Sequence, residues 1–153
     1  MDTNGEIMEK IFICAPYTTE IKDGIYKNQK QYYLQVLNLT DDSITDIYLK
    51  KFSIERNIEI AKKTAQYLRK AGYNVFCPHV AIAGYCDDMD DNKKDDRDKI
   101  LKMCFDWIRI CDYIAILPYW EESDGCQKEY KLSKELNKKV IKLTYKQIGY
   151  IEC

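Results

Sequence analysis

The chain has 153 residues and a formal net charge of −1, because 24 basic and 25 acidic side chains nearly cancel. That length suits one domain with a substantial core, and the balanced charge disfavours nucleic acid or an anionic membrane as a partner. No apolar run approaches the roughly 20 residues of a membrane span, and residues 1–10 lack a signal-peptide pattern, so we expect a cytoplasmic protein.

Seven cysteines accompany a single histidine, His79, and no two cysteines have Cys-x-x-Cys spacing. Without that spacing, neither a disulfide framework nor a metal site is expected. Four of the cysteines lie in apolar segments: Cys14, Cys77, Cys104 and Cys111. We therefore expect buried thiols in a reducing compartment, and no metal or other cofactor.

The first half of the chain alternates strand and helix patterns. Residues 10–15 form a nearly continuous apolar run, typical of a strand covered on both faces, which ends at Pro16. Residues 53–71 have helical spacing, with Ser53 as the N-cap and Gly72 as the stop. The apolar face of this helix would carry Ile54, Ile58, Ala61, Ala65 and Leu68. A short strand over 73–77 ends at Pro78, and a polar, acidic loop is predicted over 79–94.

The second half continues the alternation. A helix is predicted over 95–111, strands over 112–117 and 139–143, and a further helix over 124–138. The apolar face of the first of these helices comprises Ile100, Cys104, Trp107, Ile108 and Cys111. The tail at 144–153 has no clear pattern.

Alternating strands and helices predict a single α/β domain over 1–153, built as a three-layer sandwich around a mostly parallel, Rossmann- or flavodoxin-like sheet. Ligands of such folds bind at the carboxyl ends of the strands, which here are marked by Ala15, Pro16, Tyr17 and His79. Residues 18–51 do not fit the alternation and are interpreted as an insertion. It would cover the pocket or make a subunit contact, or else be a plain hairpin.

The predicted helix after 123 carries one unexpected charge. Glu129 shares its face with Cys126, Leu132, Ser133 and Leu136. A carboxylate on such an inward face is costly to bury, so it indicates a functional role. Ser123 would cap this helix, and Gly125 would let a ligand approach the N–H groups that suit a phosphate. Glu129 would then lie beneath the ligand, as a nucleophile for an anomeric carbon or a ligand of ribose hydroxyls. The alternative is simple capping, with Glu129 turned towards solvent.

Three further residues have two interpretations each. His79 would contact a base or phosphate, or make a structural hydrogen bond. Arg97 would reach a phosphate, or pair with nearby aspartates. Trp120 would stack on a base, or fill a subunit interface.

The order and spacing of these segments resemble the nucleoside 2-deoxyribosyltransferase superfamily, which includes the 2′-deoxynucleoside 5′-monophosphate N-hydrolases. The nearest likeness is to a small, poorly characterised bacterial and phage branch of that superfamily. The matching segments are 10–17, Ala71–His79, Cys111–Pro118 and Trp120–Glu129, within an overall correspondence over 10–17 and 53–143.

The resemblance implies roles for particular residues. Glu129 matches the nucleophile that forms a glycosyl-enzyme intermediate. Ser123 matches the residue that binds a 5′-phosphate; deoxyribosyltransferases often have an acidic residue there, which binds the 5′-hydroxyl. Tyr17 falls near the aromatic residue that contacts the nucleophile or the sugar, although a strand-end tyrosine is equally compatible. The resemblance also implies a homodimer or larger homo-oligomer that binds a small-molecule nucleotide.

One departure from the resemblance concerns the acid that assists the leaving base. The family usually has an aspartate where this chain has Cys104, and a thiol is a poor general acid at neutral pH. Asp106 would point away from the pocket, since two helical residues turn through about 200°. Asp112 is the remaining candidate acid; its alternative role is to cap backbone at the start of a strand.

The leading hypothesis is therefore a nucleotide N-glycosidase that cleaves the base–(deoxy)ribose bond of a nucleoside 5′-monophosphate or similar small nucleotide through Glu129. The alternative, motivated by Cys104, is a non-catalytic nucleotide-binding protein, such as a sensor or sponge of a nucleotide signal. A flavodoxin-like flavoprotein is disfavoured, because residues 16–19 lack a hydroxyl- and glycine-rich phosphate cradle.

Overall fold

Four parallel strands form the centre of the computed structural model, which describes residues 7–17, 35, 42–85, 88–89 and 93–151. The strands are β1 (Lys10–Cys14), β2 (Asn74–Phe76), β3 (Tyr113–Ile116) and β4 (Lys139–Lys142), in the order β2-β1-β3-β4. The helices are α1 (Asp42–Lys70), α2 (Pro78–Tyr85), α3 (Lys94–Ile110), α4 (Asp124–Glu135) and α5 (Tyr145–Ile148), with a 3₁₀ turn at Trp120–Glu122. Helices cover both faces of the sheet, so the predicted three-layer α/β sandwich is confirmed.

Alternation along the central strands divides the core into two layers. One layer joins Ile11 and Ile13 of β1 to Ile60 and Leu68 of α1, and it includes Ile148 of α5. The other layer joins Phe12 and Cys14 of β1 to residues of α3 and α4, namely Cys104, Ile108 and Cys126. Because successive side chains of β1 enter opposite layers, the strand is apolar from Ile11 to Cys14, as the sequence predicts.

The strand order places a crevice above β1 and β3. The chain moves from β1 to the outer strand β2, and then crosses back to β3 on the other side of β1. In open parallel sheets such a reversal separates the connections at the carboxyl ends of the two central strands, where ligands bind. The segments that follow β1, β2 and β3 therefore meet at one edge of the sheet.

The start of α1 differs from the prediction. The helix begins at Asp42, and Ser53 lies buried inside it, so the assignment of Ser53 as an N-cap is wrong. The buried face runs through Leu49, Ser53, Asn57, Ile60, Thr64 and Leu68. Because three of these positions are polar, the spacing of apolar residues alone does not reveal the helical period. Residues 42–51, assigned to the insertion, belong to this helix, whereas 18–34 and 36–41 lie outside the described residues.

The predicted loop at 79–94 also differs, because it begins as helix α2. Pro78 opens this helix, a position where proline loses no hydrogen bond and its fixed φ suits the first turn. The acidic residues Asp87, Asp90 and Asp91 lie outside the described residues. The helices predicted at 95–111 and 124–138 are confirmed as α3 and α4 within a few residues. Within the described ranges, no helix is long and apolar enough to span a bilayer.

Candidate functional site

A cavity of about 450 Å³ lies at the carboxyl ends of β1, β2 and β3. It brings together the two catalytic candidates Glu129 and Tyr17. It also brings together five predicted substrate-binding residues: Ala15, His79, Arg97, Ser123 and Gly125. These residues come from segments far apart in the chain, so the parallel sheet is what assembles the cavity.

The amino terminus of α4 forms one wall of the cavity. Ser123 is the N-cap, as predicted, and its Oγ accepts a hydrogen bond of 3.3 Å from the backbone N–H of Cys126. A Cβ at Gly125 would lie 3.9 Å from both Ser123 Oγ and Glu129 Oε1. The missing side chain at Gly125 therefore leaves open the space between the capping hydroxyl and the carboxylate.

Glu129 occupies the floor of the cavity with only 8% of its surface exposed, so the alternative in which it turns to solvent is wrong. Its Oε2 has no hydrogen-bond partner among the residues that the structure describes. Burial raises the pKa of Glu129 well above its ordinary value of 4.5, and the neighbouring Cys126 raises it further. Burial consequently favours the protonated carboxyl.

His79 fixes the segment that follows β1. Its Nε2 lies 2.9 Å from the carbonyl oxygen of Pro16, and since a carbonyl only accepts, Nε2 carries the proton. Burial lowers the pKa of His79, which keeps the ring neutral. The predicted structural hydrogen bond of His79 is thus present, although Nδ1, which is buried, has no partner. Pro16 uses its carbonyl for this bond and is not among the cavity-lining residues.

Tyr17 is held beside His79, with its ring centroid 5.8 Å from the imidazole. The backbone carbonyl of Tyr17 accepts a hydrogen bond of 3.0 Å from Nδ2 of Asn57, a buried residue of α1. Two buried side chains from different helices thus bind consecutive carbonyls, Pro16 and Tyr17. This pair of bonds fixes the path of the backbone along the cavity.

Three cationic side chains from three helices line the cavity: Lys50 of α1, Arg97 of α3 and Lys128 of α4. The sequence reasoning included Arg97 only. It missed Lys50 because the start of α1 was misplaced, and it placed Lys128 on the outer side of α4. Lys128 also forms a 3.0 Å ion pair with Asp124 in the first turn of that helix.

Besides Pro16, two predicted site residues do not line the cavity. Asp112 lies at the amino end of β3, where its carboxylate accepts a hydrogen bond of 2.9 Å from the backbone N–H of Lys10. This is the backbone-capping role, at the edge of the sheet opposite the cavity. Trp120 packs against Tyr130, with ring centroids 4.5 Å apart, and does not line the cavity.

Cys104 does line the cavity, at the position where the resemblance implies an acid. Asp106 is no substitute, because its exposed carboxylate pairs with Lys102 and Arg109 on the outer face of α3. None of the five cysteines in the described ranges forms a disulfide. The cavity therefore has a thiol where a proton donor for the leaving base is expected.

A cluster that the sequence did not predict lies beneath the cavity. The sulfurs of Cys14 and Cys126 and a carboxylate oxygen of Glu129 all lie within 4.8 Å of one another. The thiol of Cys14 donates to the carbonyl of Cys126 over 3.6 Å, and burial raises its pKa well above the ordinary value. Cys14 and Cys126 are 112 residues apart, so spacing in the sequence carries no signal of their contact.

Comparison with known families gives one match. Residues 53–142 match the family model described as "Domain of unknown function (DUF4406)". This segment contains His79, Arg97, Ser123 and Glu129, whereas Tyr17 precedes it. No curated protein matches the chain significantly.

Proposed function

The chain belongs to the DUF4406 family, whose description assigns no function, and we propose from its cavity that it is a nucleotide N-glycosidase. In this proposal it cleaves the bond between the base and the (deoxy)ribose of a nucleoside 5′-monophosphate or similar small nucleotide. The chemistry is that of the deoxyribosyltransferase and N-hydrolase superfamily, which the chain resembles.

The observation that carries the proposal is the unpartnered carboxylate of Glu129 in the wall of a cavity. A buried carboxylate is costly unless its oxygens are paired. Among the described residues, two buried polar side-chain atoms lack a hydrogen-bond partner, Glu129 Oε2 and His79 Nδ1, and both residues line this cavity. A polar ligand that occupies the cavity would supply the missing partners.

The amino terminus of α4 is the part of the cavity that suits a phosphate. Exposed N–H groups of a first helical turn bind anions, and Arg97 and Lys128 line the same cavity. With the phosphate near Ser123, the sugar lies over Gly125, where no side chain intervenes before Glu129. A nucleoside monophosphate therefore fits with C1′ towards the carboxylate.

The reaction then proceeds in two steps. A carboxylate oxygen of Glu129 forms a bond to C1′ while the C1′–N bond breaks, and the base leaves with the electron pair and takes up a proton. Water then attacks C1′ and releases the sugar phosphate and the carboxylate. Because burial raises the pKa of Glu129 and the ionised form attacks, we expect base release to increase with pH through that pKa.

The test is to incubate the protein with ribo- and deoxyribonucleoside monophosphates and to measure free base by chromatography. We expect release by the parent protein and a loss of at least about 100-fold in Glu129→Gln, which keeps the side-chain shape without the nucleophile. Gly125→Ala is a matched steric control. Its added methyl fills the gap between Ser123 and Glu129, so binding should weaken while the helix keeps its stability. Undiminished release by Glu129→Gln would refute the mechanism.

A second candidate function is a non-catalytic nucleotide binder, favoured by the thiol of Cys104 at the acid position. Mass spectrometry of the purified protein separates the two functions. An intact nucleotide held in stoichiometric amount supports binding alone, whereas a sugar phosphate attached to Glu129 supports catalysis. Cys104→Asp provides a further comparison, because restoring an acid should increase base release if the rest of the site is competent.

The resemblance also implies a homodimer or larger homo-oligomer. Light scattering of the purified protein measures its mass in solution and decides this point directly.

A further inference from the structure

Three side chains that are common metal ligands meet at and directly beneath the floor of the cavity. Cys126 and Glu129 are three residues apart on α4 and so share one face of the helix, and Cys14 faces them from the end of β1. All three side chains are buried, and their ligand atoms lie within 4.8 Å of one another. The unpartnered Oε2 of Glu129 is a separate observation, since it shows a buried acceptor that the protein does not satisfy.

We propose that Cys14, Cys126 and Glu129 form a binding site for one thiophilic divalent cation, of which Zn²⁺ is the representative. Two thiolates and one carboxylate are a ligand set that zinc accepts, with Zn–S distances of about 2.3 Å and Zn–O distances of about 2.0–2.2 Å. Such bond lengths in a tetrahedral site bring neighbouring ligand atoms to about 3.5–3.8 Å, so side chains whose ligand atoms lie within 4.8 Å of one another need to close by at most about 1 Å. On binding, the protons of the two thiols and of the Glu129 carboxyl pass to solvent.

The fourth coordination position faces the cavity, because Glu129 and Cys126 both line it. Three protein ligands with an open position are typical of zinc sites that exchange a water or another ligand. The ion would neutralise the charge of Glu129 and occupy the oxygen that the proposed reaction requires. The metal-bound and glycosylated forms of Glu129 therefore exclude each other.

Metal binding does not depend on the proposed N-glycosidase activity, and a spectroscopic titration tests it separately. Reduced protein is titrated with Cd²⁺, whose bonds to thiolates give an ultraviolet charge-transfer band. We expect one tightly bound equivalent in the parent and loss of the band in Cys126→Ser and Cys14→Ser. Glu129→Gln should keep a sulfur band but lower the affinity by at least about tenfold, since even outer-shell changes cost 10–100-fold.

Cys111→Ser is the matched control, because Cys111 is equally buried but follows α3 at the opposite edge of the sheet. It should bind Cd²⁺ like the parent. The proposal is wrong if the band survives in Cys126→Ser, or if Glu129→Gln binds with unchanged affinity. Thermal unfolding identifies variants that fail to fold. ¹¹³Cd NMR of the unsubstituted protein needs no variant. A chemical shift outside the range of a cadmium ion with two sulfur ligands would also overturn the proposal.

The two proposals fail in distinguishable ways. If the parent releases no base from any nucleotide, the Cd²⁺ titration still decides the metal site. If it releases base, Zn²⁺ should inhibit the parent and Cys111→Ser alike, because both keep Cys14, Cys126 and Glu129.

Discussion

Glu129 and His79 are titratable residues buried in the same cavity wall, and burial moves their pKa values in opposite directions. Both shifts arise first from desolvation, which disfavours the charged form of each group. Burial therefore favours the protonated carboxyl and the neutral imidazole. In these forms the two buried groups carry no formal charge, although charged residues line the rim of the cavity.

The raised pKa of Glu129 makes its contribution to stability depend on pH. Above the ordinary value of 4.5, the unfolded chain loses this proton while the folded protein retains it, so stability falls as pH rises through the folded pKa. The glutamine of Glu129→Gln does not titrate, so this variant does not lose stability in this way. We expect its melting temperature to exceed that of the parent by an amount that grows from pH 4.5 upward. A difference that is constant across this range would contradict the assignment.

The lowered pKa of His79 acts in the opposite sense. Below the ordinary value of 6.5, the unfolded chain takes up a proton that the folded protein refuses, so stability falls as pH decreases through the folded pKa. His79 is the single histidine of the chain, so one imidazole signal in an NMR titration belongs to it. We expect a midpoint below 6.5 in the folded protein, and a return towards that value in denaturant. A native midpoint above 6.5 would disprove the burial argument.

At the level of elements, the four strands and helices α3 and α4 were predictable because apolar residues dominate their buried faces. In α3, Cys104 and Ile108 keep the helical period visible. The buried face of α1 includes Ser53, Asn57 and Thr64, so its period is hidden and its start was misplaced. Thr64 shows how such a face is tolerated, since its hydroxyl donates to the carbonyl of Ile60 over 2.7 Å.

The candidate site was predictable where it follows a local pattern. Ser123, Gly125 and Glu129 lie on one helix terminus, and their spacing alone indicates a capped helix with an inward carboxylate. Contacts between distant segments were not predictable. Nothing in the sequence places Cys14 against Cys126, because which strand ends meet which helix is decided by the sheet order.

Ser123 has two roles at the start of α4, and substitutions separate them. Ser123→Ala should lower the free energy of unfolding by about 0.5–2 kcal/mol, because the Cys126 N–H loses its acceptor. Ser123→Asp restores the cap but places a negative charge at the position proposed for the phosphate. It should therefore recover stability in chemical denaturation without recovering affinity for a nucleoside monophosphate.

A result in which Ser123→Ala unfolds like the parent would show that the cap contributes nothing to stability. If Ser123→Asp binds the monophosphate as tightly as the parent, the phosphate does not bind beside Ser123. The same variant should prefer the corresponding nucleoside, whose 5′-hydroxyl donates to a carboxylate.

At the scale of the whole molecule, the cavity is formed by segments that follow three different strands. Any ligand that contacts His79 and Glu129 together binds the folded chain and not the unfolded one. It should stabilise the protein by about 2.7 kcal/mol at 100 times its dissociation constant. We expect a nucleoside monophosphate to raise the melting temperature of the parent and to have a smaller effect on Gly125→Ala. Equal shifts in the two proteins would place the ligand outside this cavity.

Helix α1 also limits how the wall of the cavity can move. A single helix of 29 residues carries Lys50 at the cavity, Asn57 bonded to the backbone of Tyr17, and Ile60 and Leu68 in the core. Because no break separates these parts, the cavity wall cannot swing outward as an independent lid without straining the packed layer below. Amide hydrogens from Leu49 to Leu68 should therefore exchange with deuterated solvent as one cooperative unit, at the slow rate of global unfolding. Exchange of ligands would then depend on side-chain rotations at the rim and not on backbone opening of this helix.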